Sequence, residues 1–165
     1  MTLAEDFEEF VRLLNCHNVE YMVVGGYAMA FHGKPRYTGD LDIWIKISEA
    51  NAEKLVKAMD DFGMASLDFE KSDFLQPGCI SQIGYPPLRI DILNTIDGVQ
   101  FEEAYQNRLI LEEGDLKIVY IGLTDLLQNK IASGRKQDAV DVKEIKKVLP
   151  NKQKPTPKKK RGLEL

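Results

Sequence analysis

The stretch from Tyr21 to Ile47, YMVVGGYAMAFHGKPRYTGDLDIWIKI, limits the folds open to this chain more than any other. Met22 to Val24 is a short apolar run that predicts a buried strand, and it breaks at Gly25-Gly26. Tyr27 to Phe31 reads as one or two helical turns closed by Gly33. A loop holding Lys34, Pro35, Arg36 and Thr38 then leads into a second strand, Asp40 to Ile47. Strand side chains alternate faces, so Asp40 and Asp42 project to one side while Leu41, Ile43 and Ile45 serve the core. Two ionised carboxylates about 6–7 Å apart repel by roughly 2–3 kcal/mol at an effective dielectric of about 20.

Separation, protonation of one acid, or a divalent cation between the two relieves that repulsion. Carboxylate oxygens suit Mg²⁺, which keeps several waters and shares its shell with substrate phosphates. Gly25 and Gly26 let backbone approach a ligand closely, and the helix start beyond them offers unpaired N–H groups to an anion. Strand, glycine turn, short helix and diacid strand together form a candidate cradle for a metal and a triphosphate.

These residues resemble the signature of the nucleotidyltransferase superfamily, the polymerase-β-like group that includes minimal nucleotidyltransferases, CCA-adding enzymes and antibiotic adenylyltransferases. Val24-Gly25-Gly26 is followed, after thirteen residues, by Asp40-Leu41-Asp42-Ile43, and Ile90-Asp91-Ile92 has the form of the family's third acid on a neighbouring strand. The segment GGYAMAFHGKPRYTGDLD is most similar to the prokaryotic branch that contains toxin and abortive-infection nucleotidyltransferases. The resemblance implies that Asp40, Asp42 and Asp91 are both catalytic and metal-binding, holding two Mg²⁺ ions, with Mn²⁺ as the substitute. It further implies that Asp91 accepts the proton of an attacking hydroxyl. The implied reaction moves a nucleoside monophosphate from an NTP to a hydroxyl acceptor, RNA or protein. The implied partner is an antitoxin, or a second copy of the chain, since few residues remain for an acceptor-binding domain.

Gly25, Gly26, Arg36, Thr38 and Lys130 are the candidate phosphate-binding residues. Lys34 and Arg36 either reach a phosphate or are solvated loop charges, and Thr38 either bonds phosphate or caps the loop. Lys130 falls beside the apolar face of a helix that Thr124 is expected to cap and Gly134 to end, where it either snorkels or points at the site. The resemblance favours the site. Arg135, Asp138 and Asp141 are expected to pair locally near helix ends. Trp44 shares the face of Asp40 and Asp42; packing under a terminal helix is preferred over stacking on a base. His17 and His32 lack a third zinc ligand and are read as capping or loop residues.

The remaining chain completes an α/β expectation: a small mixed sheet, helices mainly on one face, and a C-terminal helical pair. Thr2 and Glu5 match a capping box before a stripe of Leu3, Phe7, Phe10, Val11 and Leu14. Ser48 caps a helix to Phe62, Leu67 to Gln76 is open between helix and strand, and Cys79–Ile83 with Leu88–Leu93 predicts a hairpin. Phe101 to Asn107 predicts a helix, Leu109–Leu111 with Leu116–Ile121 a second hairpin, and Asp138–Leu149 a last helix stopped by Pro150. Residues 1–150 are expected to be one domain and 151–165 a disordered basic tail. The final fifteen residues hold six basic and one acidic, against 16 basic and 25 acidic in the body. An acidic body argues against a broad nucleic-acid surface. No apolar run has the length of a membrane span, Met1 to Leu14 is too acidic for a signal peptide, and two cysteines without metal spacing suit a reducing cytoplasm. The competing expectation is a non-catalytic nucleotide-binding or antitoxin-like module of the same fold.

Overall fold

The structure, a computed structural model, describes residues 3–35 and 38–152. Its elements are α1 (Glu5–Cys16), β1 (Tyr21–Val24), α2 (Gly25–Phe31), β2 (Asp40–Ile45), α3 (Glu49–Met59), β3 (Ile80–Ile83), β4 (Arg89–Leu93), α4 (Phe101–Gln106), β5 (Leu109–Glu113), β6 (Leu116–Tyr120), α5 (Leu123–Ser133) and α6 (Lys136–Lys152). Between α3 and β3 lie a wide helical turn, Asp60–Met64, and two 3₁₀ turns, Ala65–Leu67 and Lys71–Phe74. The second 3₁₀ turn lies within Leu67–Gln76, where the sequence left helix and strand open, and the helix expected to reach Phe62 ends at Met59 before the wide turn. The six strands form one mixed sheet in the order β3-β4-β2-β1-β6-β5. β2 runs parallel to β4 and β1 to β6, and the other neighbours are antiparallel. The α/β expectation of a small mixed sheet with helices holds.

Each residue of β1 is buried, as suits an apolar strand flanked on both edges and covered on both faces. Directly opposed residues of neighbouring strands share a face. The register Tyr21↔Ile45 and Val23↔Ile43 therefore defines one face, completed by Leu41 through the alternation of β2. The Tyr21 hydroxyl donates to Asn15 Oδ1 at 2.9 Å, which seats α1 on that face. The stripe of α1 delivers Phe7, Phe10, Val11 and Leu14, all fully buried, each worth roughly 1.5–3 kcal/mol relative to exposure. Ser48 caps α3 by accepting from Asn51 N–H. The buried Asn51 amide then donates to the carbonyls of Glu20 and Lys46, tying the entry of β1 to the exit of β2.

The opposite face carries Asp40, Asp42 and Trp44. Trp44 meets Phe101 of α4 edge-on at 5.1 Å, a cover that sequence did not point to. α4 closes that end of the face and leaves the aspartate end open. Three local expectations need correction. Gly122, not Thr124, is the N-cap of α5, so the helix begins two residues earlier than a cap at Thr124 would set it. Ala4 is the N-cap of α1, and Thr2 lies outside the described residues. α6 continues through Pro150 to Lys152; a proline in the last turn forfeits one backbone hydrogen bond without ending the helix. The remainder of the basic tail lies outside the described residues. Among those described, no helix is long and apolar enough to cross a membrane.

Candidate active site

Strand register assembles the site. In the parallel β2–β4 ladder Asp42 stands beside Asp91 and Asp40 beside Arg89, while the β1–β2 ladder sets Val24 beside Asp42. One carboxylate oxygen from each of Asp40, Asp42 and Asp91 lies within 4.8 Å of the others. The three acids, Gly25, Gly26, Thr38, Arg89 and Lys130 line one cleft of about 710 Å³. Sequence alternation had put Asp40 and Asp42 on a common face. Only the pairing of β4 with β2 brings Asp91 to them.

Crowding shows in the acid–base behaviour of the cluster. Burial, then the charges of Asp40 and Asp91, push the Asp42 carboxyl up to about 7, with Lys130 and Arg89 pulling the other way. Burial also raises the Asp91 carboxyl, against the hydrogen bonds and charge of Arg89. Hard oxygen donors converging this closely, one of them held far above the carboxylate range, fit a divalent cation of the Mg²⁺ kind. A doubly positive ion there would favour the ionised form of each acid.

The glycine turn is as tightly built. Gly25 has φ +69°, and a Cβ on it would overlap Asp42 Oδ2; a Cβ on Gly26 would lie 2.8 Å from Thr38 Cβ. The Thr38 hydroxyl donates to the Asp40 carbonyl at 3.1 Å, so Thr38 braces the turn against β2. Gly25→Ala is expected to destabilise the protein by about 2 kcal/mol or more, combining a left-handed alanine with displacement of the Asp42 carboxylate. It should also weaken divalent-ion binding. Urea denaturation and Mn²⁺ titration check both effects, and wild-type values in both would mean that the turn tolerates a side chain.

Lys130 lies on the same cleft, but its ammonium is already engaged. It is 4% exposed and contacts Asp138 Oδ1 at 2.9 Å and Asp141 Oδ2 at 3.2 Å. Burial would raise the Asp138 carboxyl, yet hydrogen bonds from Ser133, Lys130 and Arg135 hold it at about 2. Arg135 pairs with Asp138 at 2.8 Å, the local pairing expected from sequence, whereas the link from Lys130 to both acids was not foreseen. Arg36 lies outside the described residues. Lys34 pairs with Glu144 of α6 at 3.4 Å. His17 pairs with Asp61 at 2.6 Å, and His32 Nε2 meets the Ile121 carbonyl at 2.8 Å, both structural contacts.

Sequence reasoning passed over Arg89. Its guanidinium donates from Nε to Asp91 Oδ1 at 2.9 Å, and from Nη2 to Asp91 Oδ2 at 3.1 Å and Asp40 Oδ2 at 3.2 Å. The signal was there: Arg89 stands two residues before Asp91, on the same face of one strand.

A mixed sheet bearing an acid pair, a third acid on the parallel neighbour and a glycine turn beside them has the architecture of the nucleotidyltransferase class. The chain belongs to the family described as "nucleotidyltransferase of unknown function (DUF6036)", whose profile matches residues 1–149. Among solved structures it is similar in fold to a candidate nucleotidyltransferase from Thermotoga maritima, with 16% identity, a TM-score of 0.57, and coverage of 89% of this chain and 91% of that one. It is also similar to an antigenic nucleotidyltransferase-like protein from Paracoccidioides brasiliensis, with 17% identity, a TM-score of 0.55, and coverage of 90% and 78% respectively. No curated protein matches the chain.

Proposed function

We propose that this protein transfers a nucleoside monophosphate from an NTP to a hydroxyl acceptor, using Mg²⁺ or Mn²⁺ held by Asp40, Asp42 and Asp91. The observation that carries this reading is the convergence of three carboxylate oxygens within 4.8 Å of one another, beside the Gly25-Gly26 turn. A pair of divalent ions bound there supplies charge stabilisation to the attacking and leaving oxygens of an in-line displacement. Asp91 takes the proton of the acceptor hydroxyl as that oxygen bonds to the α-phosphorus and the bond to pyrophosphate breaks. The Gly25 and Gly26 backbone, Thr38 and Arg36 bind the triphosphate, with the charge of Lys130 alongside on the cleft wall. The acceptor class, RNA or protein, and a role as the toxin half of a toxin–antitoxin pair rest on the resemblance of Gly25–Asp42 to the toxin branch. A partner or a second copy of the chain would complete acceptor binding.

Incubation with each α-labelled NTP, Mg²⁺, total RNA and cell proteins tests this. Label is expected on one macromolecule class, with release of pyrophosphate. The competing reading is a non-catalytic nucleotide-binding module, and the observation favouring it is that Arg89 already engages Asp40 and Asp91. NTP-dependent thermal stabilisation without label transfer to any acceptor would decide for that module.

A further inference from the structure

The guanidinium of Arg89 lies where a cation shared by Asp40 and Asp91 would have to bind. Both oxygens of Asp91 and one of Asp40 are engaged by this one fork, through charge-assisted hydrogen bonds of 2.9–3.2 Å. Backbone geometry makes the arrangement inherent. Alternation on β4 puts Arg89 on the face of Asp91, and the parallel register sets it beside Asp40. The fork therefore spans two strands, and Asp42 forms the third corner. The Arg89 side chain is 29% exposed, which leaves it a path out into the cleft. Among the described residues lining the cleft, the other cations, Lys130 and Arg135, are committed to Asp138.

We propose that Arg89 is a built-in occupant of the cation site: it holds Asp40 and Asp91 together in the metal-free protein, and a divalent ion must expel it to reach their oxygens. The inference rests on the metal reading above and adds a competition that sets the affinity. Two roles for Arg89 predict opposite signs. If the guanidinium competes for the same oxygens, removing it tightens ion binding, because fewer hydrogen bonds must break and one positive charge is gone. If Arg89 serves only to position Asp91, removing it weakens binding.

Mn²⁺ binding to the full chain without nucleotide, followed by the electron paramagnetic resonance of the free ion, separates the two. Arg89→Gln is expected to bind Mn²⁺ on the order of tenfold more tightly than wild type. Arg89→Lys, which keeps the charge but not the fork, should fall between them, and Asp42→Asn should lose most binding. Mg²⁺ titration of the wild-type protein supplies a readout that needs no altered protein to fold. The Arg89 Nε–H resonance, assigned by its absence in Arg89→Lys, should shift with saturation. Equal or weaker Mn²⁺ binding by Arg89→Gln while Asp42→Asn still abolishes it, or an Arg89 resonance indifferent to saturating Mg²⁺, overturns the proposal and leaves the metal reading standing. No Mn²⁺ binding by either wild type or Arg89→Gln overturns both.

Discussion

Asp42→Asn should abolish nucleotidyl transfer and, without divalent ions, make the protein more stable than wild type above pH 7. The loss of activity is expected to be about a thousandfold or more, because on the proposed mechanism the substitution removes one of the three converging carboxylates and the charge it carries. The gain in stability follows from the raised Asp42 carboxyl. Unfolded, that group releases its proton near its ordinary value of 3.8; folded, it keeps the proton to about 7. Across that window the folded state binds the extra proton, so stability falls as pH rises and the full penalty is present above 7. For a shift of this size the penalty is on the order of 4 kcal/mol. Asparagine never ionises and escapes it. Thermal melts in EDTA at pH 5 and pH 8.5 check the sign: wild type should lose stability between the two, and Asp42→Asn should lose much less. Retained transfer would remove Asp42 from the mechanism, and identical pH dependence would mean that burial beside Asp40 and Asp91 does not raise its carboxyl.

Lys130→Met should cost about 3–5 kcal/mol, the range for removing one partner from a buried ion pair. Methionine keeps an unbranched side chain without the charge, but Asp138 and Asp141 lose the cation they share, at side-chain exposures of 2% and 4%. Ser133 and Arg135 still bond Asp138. Removing one of the two acids' charges as well, by Asp141→Asn in the Lys130→Met background, should recover some of the cost. Urea denaturation of the single and double variants measures this. A single-variant loss under about 1 kcal/mol would class the cluster with solvated surface pairs. Lys130→Met should also raise the Asp42 carboxyl further, since the Lys130 charge now holds it down.

Much of the framework follows from short-range patterns that a chain displays openly. The helical spacing of Phe7, Phe10, Val11 and Leu14, the apolar run ending at Gly25-Gly26, and the hairpins around Gly84–Pro87 and Gly114 all appear as read. So does the capping of α3 by Ser48. Each reflects an interaction between residues close in sequence. Where interactions are distant, the reading thinned out. The contact of Trp44 with Phe101 of α4 is not in the sequence pattern, because sequence says which face a strand residue uses but not what covers that face. Lys130 was placed at the site by resemblance, and its link to Asp138 and Asp141 arises from how α5 packs on α6.

Local periodicity alone settled that Asp40 and Asp42 share a strand face beside a glycine bend, since side-chain alternation and backbone freedom are properties of neighbouring residues. The parallel pairing of β2 with β4 is a tertiary outcome. It joined Asp91 to those acids and slid Arg89 between two of them, because strand register is chosen by the core as a whole. Whether the cluster greets a metal as an open cage or as one already held by a guanidinium is therefore decided by packing far from the acids themselves.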